Sequence, residues 1–382
     1  MHVLLVGIAA ITLVGLVLSC VELVRGGRTM RRLVDEASET NGPLVSVVVA
    51  ARDEGPNIER ALQSLLDQRY SPLEIIAIDD RSVDDTGAIL DRMAGADRRL
   101  HVLHVSELPP HWLGKNFALQ SGAAVAKGEL LLFTDADVVF DREAIGRGVA
   151  FMTRHGVDHL TVGPELDSPS AFLSLVVSFF ALGFLLFFRP WRASDPTRSE
   201  HIGIGAFNLV RTSLYRSFGG HGRIALRPDD DLKLGRLVKL AGGRTAMAGG
   251  LGVIRVRWYS TVGELARGLR KNTFAGFNYS VARVSGGVVV LLIANVWPFI
   301  ALFVTSGALW WMNAVIALLL MSMFALAAKP AGGNPWLAIG YPVAGLIFVY
   351  IVIAATWITV RRGGIEWRGT FYSLAELRQN VV

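Results

Sequence analysis

Long apolar runs bracket a stretch of chain in which apolar and polar segments alternate on a much shorter scale. Val3–Val21 carries no charged residue, and at about 1.5 Å per helical residue it crosses a bilayer core of roughly 30 Å. A signal peptide would bring a basic leader and a small-residue cleavage motif. Here Arg25, Arg28, Arg31 and Arg32 follow the run instead, which predicts a retained anchor over residues 1–24 with its carboxyl end in the cytoplasm. Val284–Ala328 is uncharged throughout. As helix it would measure about 68 Å, too long for one span and right for two. Asn313, beside Trp310 and Trp311, is the expected turn. A third run, Pro330–Val360, stops at Arg361 and Arg362, so residues 284–360 read as a membrane region of about three helices, followed by a basic tail, 361–382. If Arg267–Arg283 is cytoplasmic, three spans put that tail outside, against the positive-inside tendency. Either one C-terminal segment is re-entrant or the tail breaks the rule.

Between these runs, residues 42–283 read as an α/β domain. Leu44–Ala51 is a β-branched run that fits a buried parallel strand, and a helical stretch, Asn57–Asp67, follows it. Leu73–Ile78, Leu100–Val105, Glu129–Thr134 and Asp158–Val162 read as further strands, with an alanine-rich helix over Asn116–Ala126. Alternation of this kind implies a parallel sheet that binds ligands at the carboxyl ends of its strands. Ala171–Phe188 interrupts the domain with another apolar run closed by Arg189 and Arg192.

Composition agrees with a membrane protein. Hydrophobic residues make up 52% and charged residues 18%, against about a quarter charged in soluble chains. One cysteine, Cys20, excludes a disulfide scaffold. The formal charge of +6 suits nucleic acid or an anionic membrane equally. The arginines flank apolar runs, so the membrane and an anionic ligand explain the charge and no nucleic-acid partner is needed.

The predicted strand ends carry Arg52-Asp53-Glu54, Asp79-Asp80 and Asp135-Ala136-Asp137. Acidic residues often open loops and cap helices, but three clusters on successive strand ends also suit a ligand site. The first turn reads ARDEGPN, without the GxGxxG of dinucleotide folds, and no Walker-type loop occurs. Asp135 and Asp137, two apart in extended chain, point to one side and can grip one hard divalent cation that bridges phosphates. Lys115, in Trp112-Leu113-Gly114-Lys115, adds a phosphate-compatible cation.

VSVVVAARDEGPNIERALQSLL, IIAIDDRSVDDT, GKNFALQSGAAVAKGE and LLFTDADV, in this order and spacing, resemble the successive motifs of family 2 glycosyltransferases with the Rossmann-like GT-A fold. PPHWLGKNFAL and IEWRGTFYSL resemble the membrane-anchored members that act on lipids, such as ceramide glucosyltransferases and hopanoid- or carotenoid-associated bacterial enzymes. The resemblance implies an inverting transfer of one sugar from a nucleotide-sugar, UDP-linked by preference, to a membrane lipid. It implies an integral protein of a bacterial-type inner membrane with its catalytic domain in the cytoplasm.

By the same resemblance Asp80 contacts the nucleoside, with Arg52 and Asp53 lining its pocket. Asp137, helped by Asp135, holds Mg2+ or Mn2+, and Lys115 neutralises phosphate. Asp229-Asp230-Asp231-Leu232 matches the motif that supplies the general base, Asp231 by register with Asp230 as the alternate. N-capping explains one of these aspartates readily and three less well. The family's (Q/R)xxRW motif falls on Arg267-Gly268-Leu269-Arg270-Lys271-Asn272, where lysine replaces tryptophan. Arg267, Arg270 and Lys271 still supply cations for a diphosphate leaving group, although a juxtamembrane stretch attracted to anionic lipid would look the same. Asn208 and His221 are expected near the acceptor mouth.

One shared site also requires Asp137 and Asp231 on one side of the bilayer, so Ala171–Phe188 is expected to be interfacial or re-entrant. A processive polysaccharide synthase would show an intact tryptophan motif and more spans. A non-catalytic nucleotide-sugar-binding scaffold would have no reason to keep Asp80, Asp135, Asp137 and Asp231.

Overall fold

The structure, a computed structural model, describes residues 2–379. In chain order its strands are β1 (Arg31–Arg32), β2 (Asn41–Ala51), β3 (Ser71–Asp80), β4 (Leu100–Val105), β5 (Leu130–Asp135), β6 (Val138–Phe140), β7 (His159–Gly163), β8 (Glu165–Leu166), β9 (Asn208–Arg211), β10 (Thr245–Gly249), β11 (Ile254–Val256), β12 (Gly364–Trp367) and β13 (Thr370–Ser373). Eight form one sheet in the order β1-β10-β7-β9-β5-β2-β3-β4. Neighbours run parallel except β9, which is antiparallel to both β5 and β7. This is a GT-A-type α/β fold.

The sheet is covered on both faces, which is why β2 and β3 read as unbroken apolar runs rather than alternating ones. Helices Gly55–Leu66, Thr86–Ala96 and Ala144–His155 bury Ile58, Leu62, Leu90, Ile145 and Val149 against one face. Helices Gly114–Val125 and Asp230–Leu240 bury Ala118, Leu119, Leu234 and Leu237 against the other. β6, β11 and β8 make a small second sheet beside the strand ends.

Five helices among the described residues are long and apolar enough to cross a membrane: His2–Thr29, Ala171–Arg192, Val281–Val304, Gly307–Ala331 and Pro335–Arg362. They share a core in which Leu23, Leu175, Phe179, Leu182, Ile316, Phe324 and Tyr341 are buried together. The uncharged stretch after Val284 turns at Thr305-Ser306, not at Asn313. Gly307 takes φ 62 there, a left-handed conformation that glycine adopts without strain. Asn313 sits inside the next helix, 1% exposed, and its amide donates to the Leu309 carbonyl at 2.8 Å. A lone asparagine can satisfy itself within a helix in this way, so it does not have to mark a turn.

Both ends of helix Ala171–Phe188 are tied to the sheet domain. Ahead of it, the Asp167 N–H donates to the Val256 carbonyl at 2.9 Å. Beyond it, Lys239 donates to the Ala193 and Glu200 carbonyls at 3.0 and 2.6 Å. The last long helix behaves alike. Gly332, just before it, lies against Glu165 and Leu251, and the β12–β13 hairpin just after it reaches Arg52, whose carbonyl accepts from Arg368 at 2.7 Å. Segment Pro335–Arg362 therefore leaves from the domain and returns to it.

Helix Asp230–Leu240 is seated by a close backbone approach: a Cβ at Gly235 would stand 1.8 Å from the Ile202 carbonyl oxygen. Overpacking at such a site costs about 1–3 kcal/mol. Gly235→Ala is expected to lower Tm of the detergent-solubilised chain by several degrees. Gly95→Ala, with no neighbour within 4 Å of its added methyl, should leave Tm unchanged or slightly raised.

Candidate active site

The acidic strand ends converge. Asp80, 3% exposed at the end of β3, pairs with Arg81 at 2.8 Å and faces Arg52 at 3.8 Å. Arg52 Nε and Arg81 Nη2 are buried without a hydrogen-bond partner. Buried donors of this kind are rare in finished interiors, and Arg52, which lines the cavity described below, has capacity for an acceptor oxygen of a ligand. Asp79 is occupied structurally, accepting from the Ser82 N–H at 3.1 Å and meeting His104 at 3.1 Å. Asp53 shapes the loop rather than the pocket: it has φ 53, and its carboxylate accepts from the Val83 N–H at 2.8 Å.

Lys115, in the first turn of helix Gly114–Val125, lies 2.8 Å from Asp135 and 3.3 Å from Asp230. Burial acts to lower its pKa, but the charges of Asp135, Asp230 and Asp231 outweigh it and hold the ammonium well above its usual value. Lys115 relieves Asp137 only in part. Burial first, then the charges of Asp135 and Glu54, push it up to about 7. A carboxylate pair crowded in this way suits a hard cation, which would hold both groups ionised.

The three consecutive aspartates separate by partner. Asp229 is gripped by Arg227 through two bonds of 2.8 Å, and Asp230 faces Lys115. Asp231 accepts from the Gly205 N–H at 2.9 Å and the Leu232 N–H at 2.8 Å. Burial, then the Asp230 charge, push Asp231 up to about 7 against the pull of Lys115. A carboxylate with that pKa is poised for proton transfer near neutral pH. Asp229, at the helix N-terminus, makes no capping bond with its side chain.

Most of these groups, though not Asp53, Asp79 or Arg81, face one cavity of about 1940 Å³, well above the roughly 300–1,000 Å³ of a single small-molecule site. Its polar end is lined by Arg52, Glu54, Asp80, Lys115, Asp135, Asp137, Asp230 and Asp231. Its other walls are Phe179–Phe188, Leu23 and Val24 of the first helix, and Gly286, Gly287, Val290 and Leu291. An acidic centre and an apolar chamber are thus continuous.

Several predicted residues lie elsewhere. Asn208 is not at a mouth: it is buried in β9, 2% exposed, with its side-chain oxygen 3.1 Å from His159 Nε2. His221 is 1% exposed and bonds the Tyr215 hydroxyl at 2.7 Å. Helix Val262–Gly276 turns Leu269, Asn272, Thr273 and Gly276 to the cavity. That stripe follows the i, i+3, i+4, i+7 rule, which directs Arg267 and Arg270 away. Lys271 is on the same helix, with its side chain outside the described set. The cavity also gathers Trp258 and Tyr259, which no motif singled out, together with Glu54, His201, Trp367, Arg368 and Tyr372, to which no site role was assigned from the sequence. Tyr259 is pushed up to about 12 by burial and by the charges of Asp137 and Asp135. Aromatic residues just before a helix have no spacing that marks them as site residues.

Residues 46–219 match the family described as Glycosyl transferase family 2. A 4,4'-diaponeurosporenoate glycosyltransferase of Staphylococcus aureus is 22% identical over 342 residues, covering 88% of this chain and 90% of that protein. The glycosyltransferase GlyG of Streptococcus pneumoniae is 34% identical over 102 residues, 27% of this chain, and the chain spans only 33% of that relative's length. Among solved structures, a mannosyltransferase from Pyrobaculum calidifontis in complex with GDP-Man and Mn2+ superposes with a TM-score of 0.56 at 18% identity, covering 93% of this chain and 99% of that one. The two share a fold.

His159 and His221 give the fold an acid limit. Burial lowers them to about 4 and about 3, from roughly 6.5 in an unfolded chain. Below 6.5 the unfolded chain binds protons that the folded one refuses, so their contribution is complete above 6.5 and is lost as pH falls toward 4. Each adds a limiting slope of about 1.4 kcal/mol per pH unit. Thermal unfolding followed between pH 7 and 4 should show this decline, and His159→Gln should reduce the slope by about one proton.

Proposed function

From a chain that carries a glycosyl transferase family 2 domain, we propose an enzyme that moves a single sugar from a nucleoside-diphosphate sugar to a hydroxyl of a membrane lipid. The observation that carries this reading is the continuity of the cavity. The same space that holds Asp80, Lys115, Asp137 and Asp231 opens between membrane-type helices. A soluble acceptor would not need the wall Phe179–Phe188, and a long apolar acceptor would. The name of the Staphylococcus aureus relative, a glycosyltransferase for a carotenoid acid, supports the same class of acceptor.

In this reading Asp80 and Arg52 receive the nucleoside, and the leftover donor Arg52 Nε has an acceptor to meet. Asp135 and Asp137 would hold a divalent cation, which supplies charge neutralisation for the diphosphate. The two-carboxylate set fits Mg2+ or Mn2+, because such ions take one or two protein carboxylates and complete their shell with phosphate oxygens and water. Lys115 adds a fixed positive charge on the same side. Asp231 takes the acceptor proton on a carboxylate oxygen. The acceptor oxygen bonds to the anomeric carbon from the face opposite the diphosphate, the carbon–oxygen bond to phosphate breaks, and its electron pair leaves with the nucleoside diphosphate. Direct displacement of this kind inverts the anomeric centre.

For topology we infer three crossings, by His2–Thr29, Val281–Val304 and Gly307–Ala328. Ala171–Phe188 and Pro335–Arg362 lie in or dip into the cytoplasmic leaflet. The reading is supported by the attachments of both segments to the domain at each end, and it places Arg25–Arg32 and Arg361–Arg362 on one side, as the positive-inside tendency favours.

Two outcomes test the enzyme reading. Membranes given labelled UDP- or GDP-sugars and lipid extract should form a lipid-linked single-sugar product. Asp137→Ala and Asp231→Asn should each lower its rate by roughly 10²–10⁴-fold, and transfer that survives both would defeat the role assignment. Because a base acts only when deprotonated, the wild-type rate should fall as pH drops below about 7. For topology, cysteines at Arg223, Lys329 and Arg362 in a Cys20→Ser background should be labelled by an impermeant maleimide from the cytoplasmic face, and a cysteine at Ser306 from the other. Labelling of Lys329 and Arg362 positions from opposite faces would sink the in-plane assignment.

A further inference from the structure

The family match ends at residue 219, yet a segment nearly 150 residues later completes the polar end of the cavity. β12 and β13 pair antiparallel with Trp367 opposite Thr370. Arg368 (φ 50) and Gly369 (φ 75) form the two-residue turn. Both central residues are left-handed, which matches the twist of a tight hairpin and is uncommon for arginine. The hairpin's base is firmly seated. Ile365, Tyr372 and Leu377 are buried with Leu113, Phe274 and Val352, and the Leu374 N–H donates to the Gly363 carbonyl at 2.9 Å.

The tip is held differently. Arg368 Nη1 donates to the Arg52 carbonyl at 2.7 Å, and Nη2 meets Glu54 at 2.6 Å. The Arg368 side chain remains 43% exposed, and an exposed ion pair of this kind is weak and exchangeable. Its partner Glu54 lines the cavity together with Asp135 and Asp137, so the guanidinium is paired to a carboxylate of that same polar end. Trp367, Arg368 and Tyr372 line the cavity together with Arg52, Asp80 and Lys115, whereas Arg267 and Arg270 do not.

We propose that the hairpin Gly364–Ser373 is the lid of the donor pocket, and that Arg368 exchanges Glu54 for the diphosphate of the nucleotide-sugar when the donor binds. This rests on the reading of the cavity's polar end as a donor site. A planar guanidinium suits the bidentate recognition of phosphate oxygens. Lys115 and Arg368 border the same cavity, and Glu54 holds that arginine in place before a diphosphate arrives.

The test uses the full chain in detergent, titrated calorimetrically with UDP and with GDP, each with MnCl2, and with the matching monophosphates. Wild type is expected to bind one diphosphate, and that nucleotide should slow amide exchange across residues 364–373. Arg368→Ala should weaken diphosphate binding roughly tenfold or more, weaken monophosphate binding less, and abolish the slowing of exchange. Arg368→Lys should recover part of the affinity. A wild-type chain that binds neither nucleotide overturns the donor-site reading and the lid with it. Diphosphate binding equal within twofold in wild type and Arg368→Ala, with exchange at 364–373 unresponsive, overturns the lid alone. Equal loss in the alanine and lysine variants, with faster exchange across Leu374–Gln379, reduces Arg368 to a folding role and also overturns it.

Discussion

The site depends on one half-buried ammonium. Lys115 reaches from the first turn of helix Gly114–Val125 to Asp135 at the end of β5 and to Asp230 at the start of helix Asp230–Leu240. Three elements from distant parts of the chain are tied at that point. Without a cation there, carboxylates gathered at one end of a cavity would repel one another in a medium that screens them poorly. With it, Asp135 and Asp230 are balanced, while Asp137 and Asp231 are left near neutrality's edge, each at about 7. The pairing that holds the elements together thus also decides which acids are available for a ligand.

The apolar half of the cavity follows from a second constraint. Helix Ala171–Phe188 is anchored to the sheet domain at both ends. It buries Leu175, Phe179 and Leu182 among the other apolar helices and presents Phe180, Phe184 and Phe187 to the cavity. A greasy chamber and a charged centre share one wall because this helix is inserted between β8 and β9, on the chain path between Asp137 and Asp231.

Much of the fold could be read from residue pattern, and the reasons are local. β2 is legible because a strand covered on both faces is an unbroken run such as Val45–Val49, and Asp135–Asp137 stands out because polar residues follow such a run abruptly. What escaped depends on contacts far apart in sequence. β9 enters the sheet against its neighbours' direction, and nothing in Asn208–Arg211 announces orientation. Asn208 was expected near the acceptor mouth, but its partner is His159, forty-nine positions earlier. Arg267 and Arg270 matched a motif by spacing, while the helix phase set by Leu269 and Thr273 turned them away. The hairpin tip meets Arg52 across 316 positions, a pairing without any local signature.

That last separation has a consequence for biosynthesis. A ribosome delivers Arg52, Asp80, Asp137 and Asp231 early, and this sheet domain has the buried cores to form as soon as it emerges. The strand pair whose Arg368 reaches Arg52 and Glu54 is delivered only after the apolar helices from Val281 to Arg362. A nascent chain stalled before that point would carry its acidic centre without this hairpin. Order of synthesis thus makes the polar end of the cavity one of the last parts of the molecule to be completed.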